Sequence, residues 1–198
     1  MLKSMKIDPV IYGIQGGRGS FNEEAINYYL QEKGVRKYKI KYLYTSTNVM
    51  RALDDGKIDR GQFAVHNSAG GMVEESIQAM ATYKFKIIDQ FAIKIAHALM
   101  IRDDADLTEV TTIMTHPQVL AQCKQTLARQ YPNLKQTSGK GKLIDHSVVA
   151  KNLGEKILPK YVATMGSKVL AELYDLRVVG NNLQDLKENY TSFLVVER

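Results

Sequence analysis

Four short polar segments have residue types and spacings that are typical of ligand-binding or catalytic sites. The first, residues 16–22, reads G-G-R-G-S-F-N between a strand-like run and a helix-like run. Glycines there expose backbone N–H groups at the positive end of a helix, where a phosphate or a carboxylate can bind. The spacing matches neither a P-loop nor a dinucleotide fingerprint. A tight turn without a ligand explains the same letters equally well.

The second segment, residues 66–71, reads H-N-S-A-G-G and directly follows the apolar run at residues 63–65. In α/β folds, ligands bind at the carboxyl ends of parallel strands. We therefore predict that Asn67 and Ser68 contact a ligand. The alternative is a polar loop that caps a helix.

The third segment, residues 115–118, reads T-H-P-Q, and the fourth, residues 189–193, reads N-Y-T-S-F. Helix capping by Thr115 or His116 accounts for the third segment, and spacing alone favours that interpretation. A turn accounts for the fourth, because a lone Thr/Ser pair is typical of turns.

Metal and nucleophile signatures are missing from the sequence. His66, His97, His116 and His146 show no H-x-x-x-H spacing, and Cys123 is the only cysteine. The sequence thus predicts no metal site and no cofactor, and it allows no intrachain disulfide. His97 lies in an apolar run and is predicted to be a hydrogen-bonded core residue. Cys123 has apolar neighbours at helical spacing, so we predict a buried packing role.

Composition excludes several classes of protein. The 198 residues are 44% apolar and carry a formal charge of +6, but acidic pairs are interleaved among the lysines. This distribution argues against a nucleic-acid interface. No run approaches the ~18 apolar residues of a membrane helix, and residues 1–6 contain no apolar signal region. We expect a soluble cytoplasmic protein.

Strand-like and helix-like segments alternate along the chain, which predicts an α/β fold with parallel sheets. The predicted strands cover residues 9–14, 38–44, 63–65, 87–101, 110–114, 161–164 and 193–196. The predicted helices cover residues 22–34 with Asn22 as the N-cap, 46–56 with Ser46 or Thr47 as the cap, 72–81, 117–131, 147–156 and 167–174.

Taken in order, these segments resemble the catalytic domain of prephenate dehydratase. Residues 16–22 match the family's G-P-x-G-T-F-S, and residues 64–68, A-V-H-N-S, match its P-I-E-N-S. Residues 116–123, H-P-Q-V-L-A-Q-C, match H-P-Q-A-L-A-Q-C. Residues 171–176, A-E-L-Y-D-L, match A-E-L-Y-G-L, and residues 189–193 match N-x-T-R-F. His97 matches a family histidine, and the resemblance covers nearly the whole chain.

The resemblance implies a single catalytic domain over residues 1–198, built as two α/β lobes like the type II periplasmic binding proteins with a cleft between them. We expect one lobe to comprise about residues 1–95 and 178–198, and the other about 96–177. The family's regulatory ACT domain is not expected here. The resemblance also implies a homodimer that acts on a small molecule without a cofactor. Neither nucleic acid nor a membrane is expected as a partner.

The implied reaction removes carbon dioxide and the ring hydroxyl from prephenate and gives phenylpyruvate. It requires protonation of the departing hydroxide and a poorly solvated place for the ring carboxylate. The threonine of the family motif, here Thr191, is implied to assist hydroxyl departure, with Ser192 and His66 at the other two catalytic positions. The substrate-binding residues implied are Arg18, Gly19, Ser20, Asn67, Ser68, Gly71, His116, Gln118 and Phe193.

Several positions depart from the family pattern. Ser192 replaces an arginine that could bind a carboxylate bidentately, and His66 replaces a glutamate. Gly17 replaces proline and Ser20 replaces threonine, while Arg18 or the lysines at 140 and 142 offer substitute positive charge. Three functions stay open: a prephenate or arogenate dehydratase, a non-aromatising prephenate decarboxylase, and a catalytically silent small-carboxylate binding protein.

Overall fold

The computed structural model describes residues 8–198, and the predicted lack of a signal region at residues 1–6 lies outside them. The chain divides into two compact units. The first comprises the described chain up to Gly17 with Ala25–Ile93 and Thr191–Arg198, and the second comprises Arg18–Glu24 and Lys94–Tyr190. Residues 18–24 and 178–190 therefore belong to the second unit, whereas the sequence grouped both segments with the first lobe.

The first unit is built on one mixed sheet with the strand order β2-β1-β3-β11-β5, and β4 pairs with β3. Strands β1, β2 and β3 are parallel, and β11 runs antiparallel to β3. The elements are β1 Val10–Gln15, α1 Phe21–Glu32, β2 Tyr38–Tyr44, α2 Ser46–Asp54, β3 Arg60–Asn67, β4 Gly71–Met72, α3 Glu74–Thr82, β5 Lys86–Lys94 and β11 Tyr190–Glu197; the first turn of α1 counts with the second unit.

The second unit is built on a sheet with the order β10-β6-β9-β7-β8. Strands β7, β8 and β9 are parallel, whereas β6 is antiparallel to β9 and to β10. The elements are β6 Ala98–Arg102, β7 Thr112–Met114, α4 Pro117–Gln122, α5 Lys124–Gln130, β8 Lys135–Thr137, α6 His146–Gly154, β9 Val162–Gly166, α7 Val169–Leu173 and β10 Leu176–Gly180.

The α/β class is confirmed, but the prediction of parallel sheets is wrong for β6, β10 and β11. Burial explains the error. Strand β9 is buried at all five positions, and β6 is buried at its first four. A strand covered on both faces is apolar throughout whatever its direction, so its sequence does not reveal which way it runs.

Several element boundaries also differ from the predictions. The apolar run at 87–101 forms two strands, and the predicted helix at 117–131 breaks at Cys123 into α4 and α5. The sequence missed β8, a polar K-Q-T segment at the edge of its sheet, as well as β4 and β10. Strands β4 and β8 carry little apolar pattern of their own and are held by their neighbours, whereas β10, L-R-V-V-G, has an apolar pattern that the predictions overlooked.

The predicted cap of α2 is wrong by one residue. Thr45 is the N-cap, and its hydroxyl oxygen accepts a hydrogen bond from the Asn48 amide at 3.1 Å. Ser46 is buried instead, with its hydroxyl 2.6 Å from that of Ser76 on α3. Ser76 donates in turn to the carbonyl of Ala64 in β3. These contacts fix both helices against the strand that leads to the polar segment at 66–71.

Each unit has its own apolar core. Phe63 and Phe193 are among the largest fully buried side chains of the first unit, and Leu99 and Ile113 are among those of the second. Within residues 8–198, no helix combines the length and the apolar composition that a membrane crossing requires.

Candidate active site

The first unit brings four of the predicted site residues together at the ends of two strands. In the register of β3 and β11, Thr191 lies opposite Asn67 and Ser192 lies opposite His66. A bulge follows, between Ser192 and Phe193. Two motifs that are more than 120 residues apart in sequence thus form one patch, which we call the β3–β11 patch (His66, Asn67, Thr191 and Ser192).

A hydrogen bond between Asn67 and Thr191 organises the β3–β11 patch. The Asn67 side-chain amide donates to the Thr191 hydroxyl oxygen at 2.8 Å, and both side chains are buried. The Asn67 oxygen accepts from the backbone amides of Ala69 and Gly70 at 3.0 and 2.8 Å, which fixes the amide's orientation. Because Thr191 accepts in this bond, its own hydroxyl hydrogen remains able to donate.

His66 and Ser192 form the more accessible half of the patch. His66 is exposed and is flanked by Ser192 on β11 and by Met72 on β4. Side chains directly opposite one another on antiparallel strands share a face and lie roughly 5 Å apart. The two positions at which this chain departs most from the family pattern are therefore direct neighbours.

The other predicted residues of the first unit differ in their surroundings. Ser68 is exposed, and Gly71 has a positive φ of 74° in open space. Phe193 is only 1% exposed and stacks on Phe91 with ring centroids 5.5 Å apart. It is a core residue of the sheet, and a contact between Phe193 and substrate stays a prediction.

In the second unit, the glycine loop forms the cap of α1. The Gly19 amide donates to the Glu23 carboxylate at 2.5 Å. The Ser20 carbonyl accepts from the amides of Glu23 and Glu24 at 3.0 and 3.1 Å. Ser20 is therefore the N-cap, and the prediction of Asn22 is wrong. The Gly19 amide, which the sequence offered to an external anion, already binds a carboxylate of this chain, while Arg18 is exposed.

Gly19 leaves no room for a side chain. Its φ is +80°, and a Cβ would collide with the Leu170 side chain on α7. We expect Gly19→Ala to lower the free energy of unfolding by about 2–4 kcal/mol, because strain and overpacking add. The matched control is Gly56→Ala, where φ is +67° with nothing within 4 Å, so only the strain of about 1 kcal/mol applies. Urea denaturation measures both variants, and an equal loss of unfolding free energy in Gly19→Ala and Gly56→Ala would contradict the steric argument.

The T-H-P-Q segment acts as a helix cap, as its spacing indicated. His116 precedes α4, and its Nδ1 accepts from the Gln118 amide at 3.2 Å. An accepting Nδ1 places the proton of the neutral ring on Nε2. The Gln118 side chain is exposed. A role for either residue in binding stays a prediction.

His97 is a hydrogen-bonded core residue, as predicted. It is 3% exposed, its Nε2 lies 2.8 Å from Oε1 of Gln122, and its backbone amide donates to Oε1 of Gln184 at 3.1 Å. The Phe21 ring packs edge-on against it, with centroids 5.3 Å apart. Burial lowers the pKa of His97, and the bond to Gln122 opposes that shift.

His146 was not singled out by the sequence, because a histidine without a spaced partner carries no motif. It opens α6, and both of its ring nitrogens are buried without a hydrogen-bond partner, although the residue as a whole is partly buried. Burial lowers its pKa to about 4; Asp145 opposes this shift, and His97 and His116 add to it. The imidazole is therefore neutral near pH 7.

This shift makes stability depend on pH. The folded-state pKa of His146 lies below the ordinary 6.5, so the unfolded chain binds more protons between about pH 6.5 and 4. We expect stability to fall as pH falls through this window, by about 2 kcal/mol from His146 after allowance for partial solvent access. Urea denaturation at pH 7 and pH 5 measures the change in unfolding free energy between the two pH values. This change should be smaller in His146→Gln than in wild type, and an equal change would contradict the assignment.

Cys123 is fully buried, and burial raises its thiol pKa to about 12, which confirms the predicted packing role. Among the residues that the structure describes, no group of three His, Cys, Asp or Glu side chains is arranged to hold a metal ion.

Two mixed sheets with polar motifs at strand ends define an α/β protein with candidate ligand-binding residues in each unit. A protein-family model described as prephenate dehydratase matches residues 12–198. The chain therefore belongs to the prephenate dehydratase family.

Similar proteins agree with this assignment. The chain is 28% identical to a prephenate dehydratase of Methanocaldococcus jannaschii, over 94% of this chain and 64% of that protein. It is 24% identical to an arogenate dehydratase/prephenate dehydratase of Arabidopsis thaliana, over 93% of this chain and 45% of that protein. The structure of a prephenate dehydratase from Arthrobacter aurescens in complex with L-Phe superposes with a TM-score of 0.83 at 25% identity, over 96% of this chain and 60% of that one. The chain thus spans less than two thirds of the length of these relatives.

Proposed function

We propose that this chain converts prephenate to phenylpyruvate by removing carbon dioxide and the ring hydroxyl. The observation that carries the proposal is the bond from Asn67 to Thr191, which joins two family motifs in one oriented pair. The relatives named prephenate dehydratase support the same substrate. The reaction makes this chain a carbon–oxygen lyase.

In this proposal Thr191 donates its hydroxyl hydrogen to the departing ring hydroxyl, which leaves as water, and a proton from solvent restores the Thr191 hydroxyl. Its oxygen accepts from Asn67, so the hydrogen bond positions the hydroxyl and withdraws electron density from its oxygen. Asn67 is a positioning residue, held by the backbone amides of Ala69 and Gly70. General acid catalysis of this kind contributes roughly 10²–10⁴-fold to a rate.

The remaining predicted residues bind substrate in this proposal. Ser68 and Gly71 lie beside the β3–β11 patch, and Phe193 supports it from the core. Arg18, Ser20, His116 and Gln118 supply donors or charge from the second unit, and Gly19, whose amide binds Glu23, shapes the loop that carries Arg18 and Ser20.

A second candidate function is decarboxylation of prephenate with retention of the hydroxyl. It rests on the His66–Ser192 pair, where the family pattern has Glu and Arg. Loss of a fixed cation beside Thr191 weakens charge stabilisation as the hydroxide leaves. The likeness to relatives that carry the name dehydratase favours the first candidate.

The test is incubation of the purified protein with prephenate at neutral pH, with products identified by mass and ultraviolet spectrum. Phenylpyruvate formed above the spontaneous rate supports the dehydratase. A decarboxylated product that retains its hydroxyl supports the second candidate. Intact prephenate that protects the protein against thermal unfolding indicates a binding protein, and absence of both turnover and protection refutes the substrate.

We further propose a homodimer that works in the cytoplasm without a cofactor, by analogy with the family. Light scattering on the purified chain tests the oligomeric state. A monomer that is fully active toward prephenate would refute the dimer as the working form.

A further inference from the structure

Three histidines from distant parts of the sequence meet at one edge of the second sheet. Strands β7 and β9 are parallel, so their carboxyl ends lie at the same edge. Strand β6 is antiparallel to β9 and starts there, with Ala98 opposite Gly166. His97 immediately precedes β6, and His116 follows β7 by two residues. The ring of His146 lies on Gly166 itself.

The contact between His146 and Gly166 is close. A Cβ on Gly166 would lie 2.5 Å from Cδ2 and 3.2 Å from Nε2 of the His146 ring. Any other residue at position 166 would displace the imidazole from the end of the strand. The fold therefore keeps a space for this ring where α/β proteins place ligands.

The ring nitrogens at this edge have unused hydrogen-bonding capacity. Nδ1 and Nε2 of His146 and Nδ1 of His97 are buried without a partner. A neutral imidazole carries one donor and one acceptor, and burying them unpaired lowers stability. An apolar side chain would fill the same space without that cost. Such a group at a ligand-binding edge points to a ligand that completes its bonds.

The surroundings favour an anion. His146 begins α6, a nine-residue helix. Helix α1 also begins near the sheet edge at which β7 and β9 end, since Phe21 in its first turn contacts His97. Both helix N-termini carry partial positive charge. The charged or titratable groups that act on His146 are Asp145, His97 and His116.

Two carboxylates near this edge are already engaged. The Asp145 carboxylate accepts from the amide and the hydroxyl of Ser147, so it is occupied as the helix cap. Glu24 accepts from the hydroxyl of Ser167, one residue beyond Gly166, and burial raises its pKa.

We propose that His146 binds a carboxylate group of the substrate through its ring N–H and takes up one proton as that group binds. The identity of the acid rests on the proposed function. The imidazole is neutral before binding and forms an imidazolium–carboxylate pair afterwards, with the proton supplied by solvent. His97 and His116 flank this pair.

The test compares wild type with His146→Gln, which keeps a donor of similar size but cannot become cationic. The matched control is Lys151→Gln, which removes one positive charge from an exposed position on the same helix. Calorimetric titration with phenylpyruvate in two buffers of different ionisation enthalpy, at pH 6 and pH 7.5, gives affinity and proton uptake. The proton NMR signal of the His146 ring, assigned by its loss in the variant, reports its pKa with phenylpyruvate, with prephenate and with acetate.

We expect wild type and Lys151→Gln to take up protons on binding and to lose affinity as pH rises, by up to about tenfold per pH unit. His146→Gln should take up fewer protons and bind about tenfold more weakly at pH 6. Proton uptake equal to that of wild type, with affinity within about twofold, would overturn the proposal. The variant's melting temperature should equal or exceed that of wild type, which separates lost binding from lost folding.

Acetate separates this proposal from the proposed function. If prephenate and phenylpyruvate do not bind but acetate raises the His146 pKa, the carboxylate site stands and the substrate assignment fails. If prephenate is turned over while no carboxylate shifts the His146 signal, the proposed function stands and this inference fails.

Discussion

Replacement of Thr191 by alanine is expected to lower prephenate dehydration by roughly 10²–10⁴-fold, the contribution of a positioned general acid. The hydroxyl that accepts from Asn67 at 2.8 Å is removed, and Asn67, the other buried member of the β3–β11 patch, carries no hydroxyl that could replace it. Binding should change little, because the variant removes only one small polar group. Steady-state rates with prephenate and thermal-shift titration separate the two effects.

Thr191→Ser is the matched control, since it keeps the hydroxyl and removes one methyl group. We expect it to retain dehydration within about tenfold of wild type. Asn67→Ala tests the positioning role, because it leaves the hydroxyl in place without its oriented donor. The dehydration rate of Asn67→Ala should lie between the rates of Thr191→Ser and Thr191→Ala. Unchanged turnover in Thr191→Ala would remove Thr191 from the mechanism.

The second large effect concerns the pair His66 and Ser192. Because the register places them opposite one another, we expect His66→Glu and Ser192→Arg to act as one unit. Ser192→Arg alone sets a cation against a histidine, and His66→Glu alone adds an unpaired carboxylate beside an anionic substrate. The double variant restores an ion pair and leaves a guanidinium near the departing group. Dehydration should rise about tenfold or more in the double variant, and less in either single variant.

The measurement is a double-mutant cycle on the rate of hydroxyl loss, with a coupling energy of about 1 kcal/mol or more expected. Met72 provides the control, since it flanks His66 on the opposite side and is 58% exposed. His66→Glu with Met72→Arg makes a similar ion pair away from Thr191 and should give no gain. Additive effects of His66→Glu and Ser192→Arg would show that the two departures are independent.

The class of fold and the family could both be predicted from the sequence. Alternating strand and helix patterns predicted α/β, because the two periodicities follow from local geometry. Ordered motifs, above all residues 116–123, identified the relatives. The core roles of Cys123 and His97 were also readable, since each lies in an apolar neighbourhood along the chain. All of these features depend on residues close together in sequence.

Features that depend on the pairing of strands far apart in sequence could be read only from the folded chain. The direction of buried strands such as β6 and β9 could not be inferred from their sequences. The caps of α1 and α2 are Ser20 and Thr45, whereas the sequence predicted Asn22 and Ser46 or Thr47. The opposition of His66 to Ser192 is a matter of register between strands far apart in sequence.

His146 shows the same limit most clearly. No motif in the sequence marks it, and its lowered pKa comes mainly from burial in the fold, which Asp145 opposes and to which His97 and His116 add. Burial and electrostatic fields arise from groups adjacent in space, whatever their separation along the chain. The sequence therefore determined which residue types the candidate site contains, and only the folded sheet decided which of them act on one another.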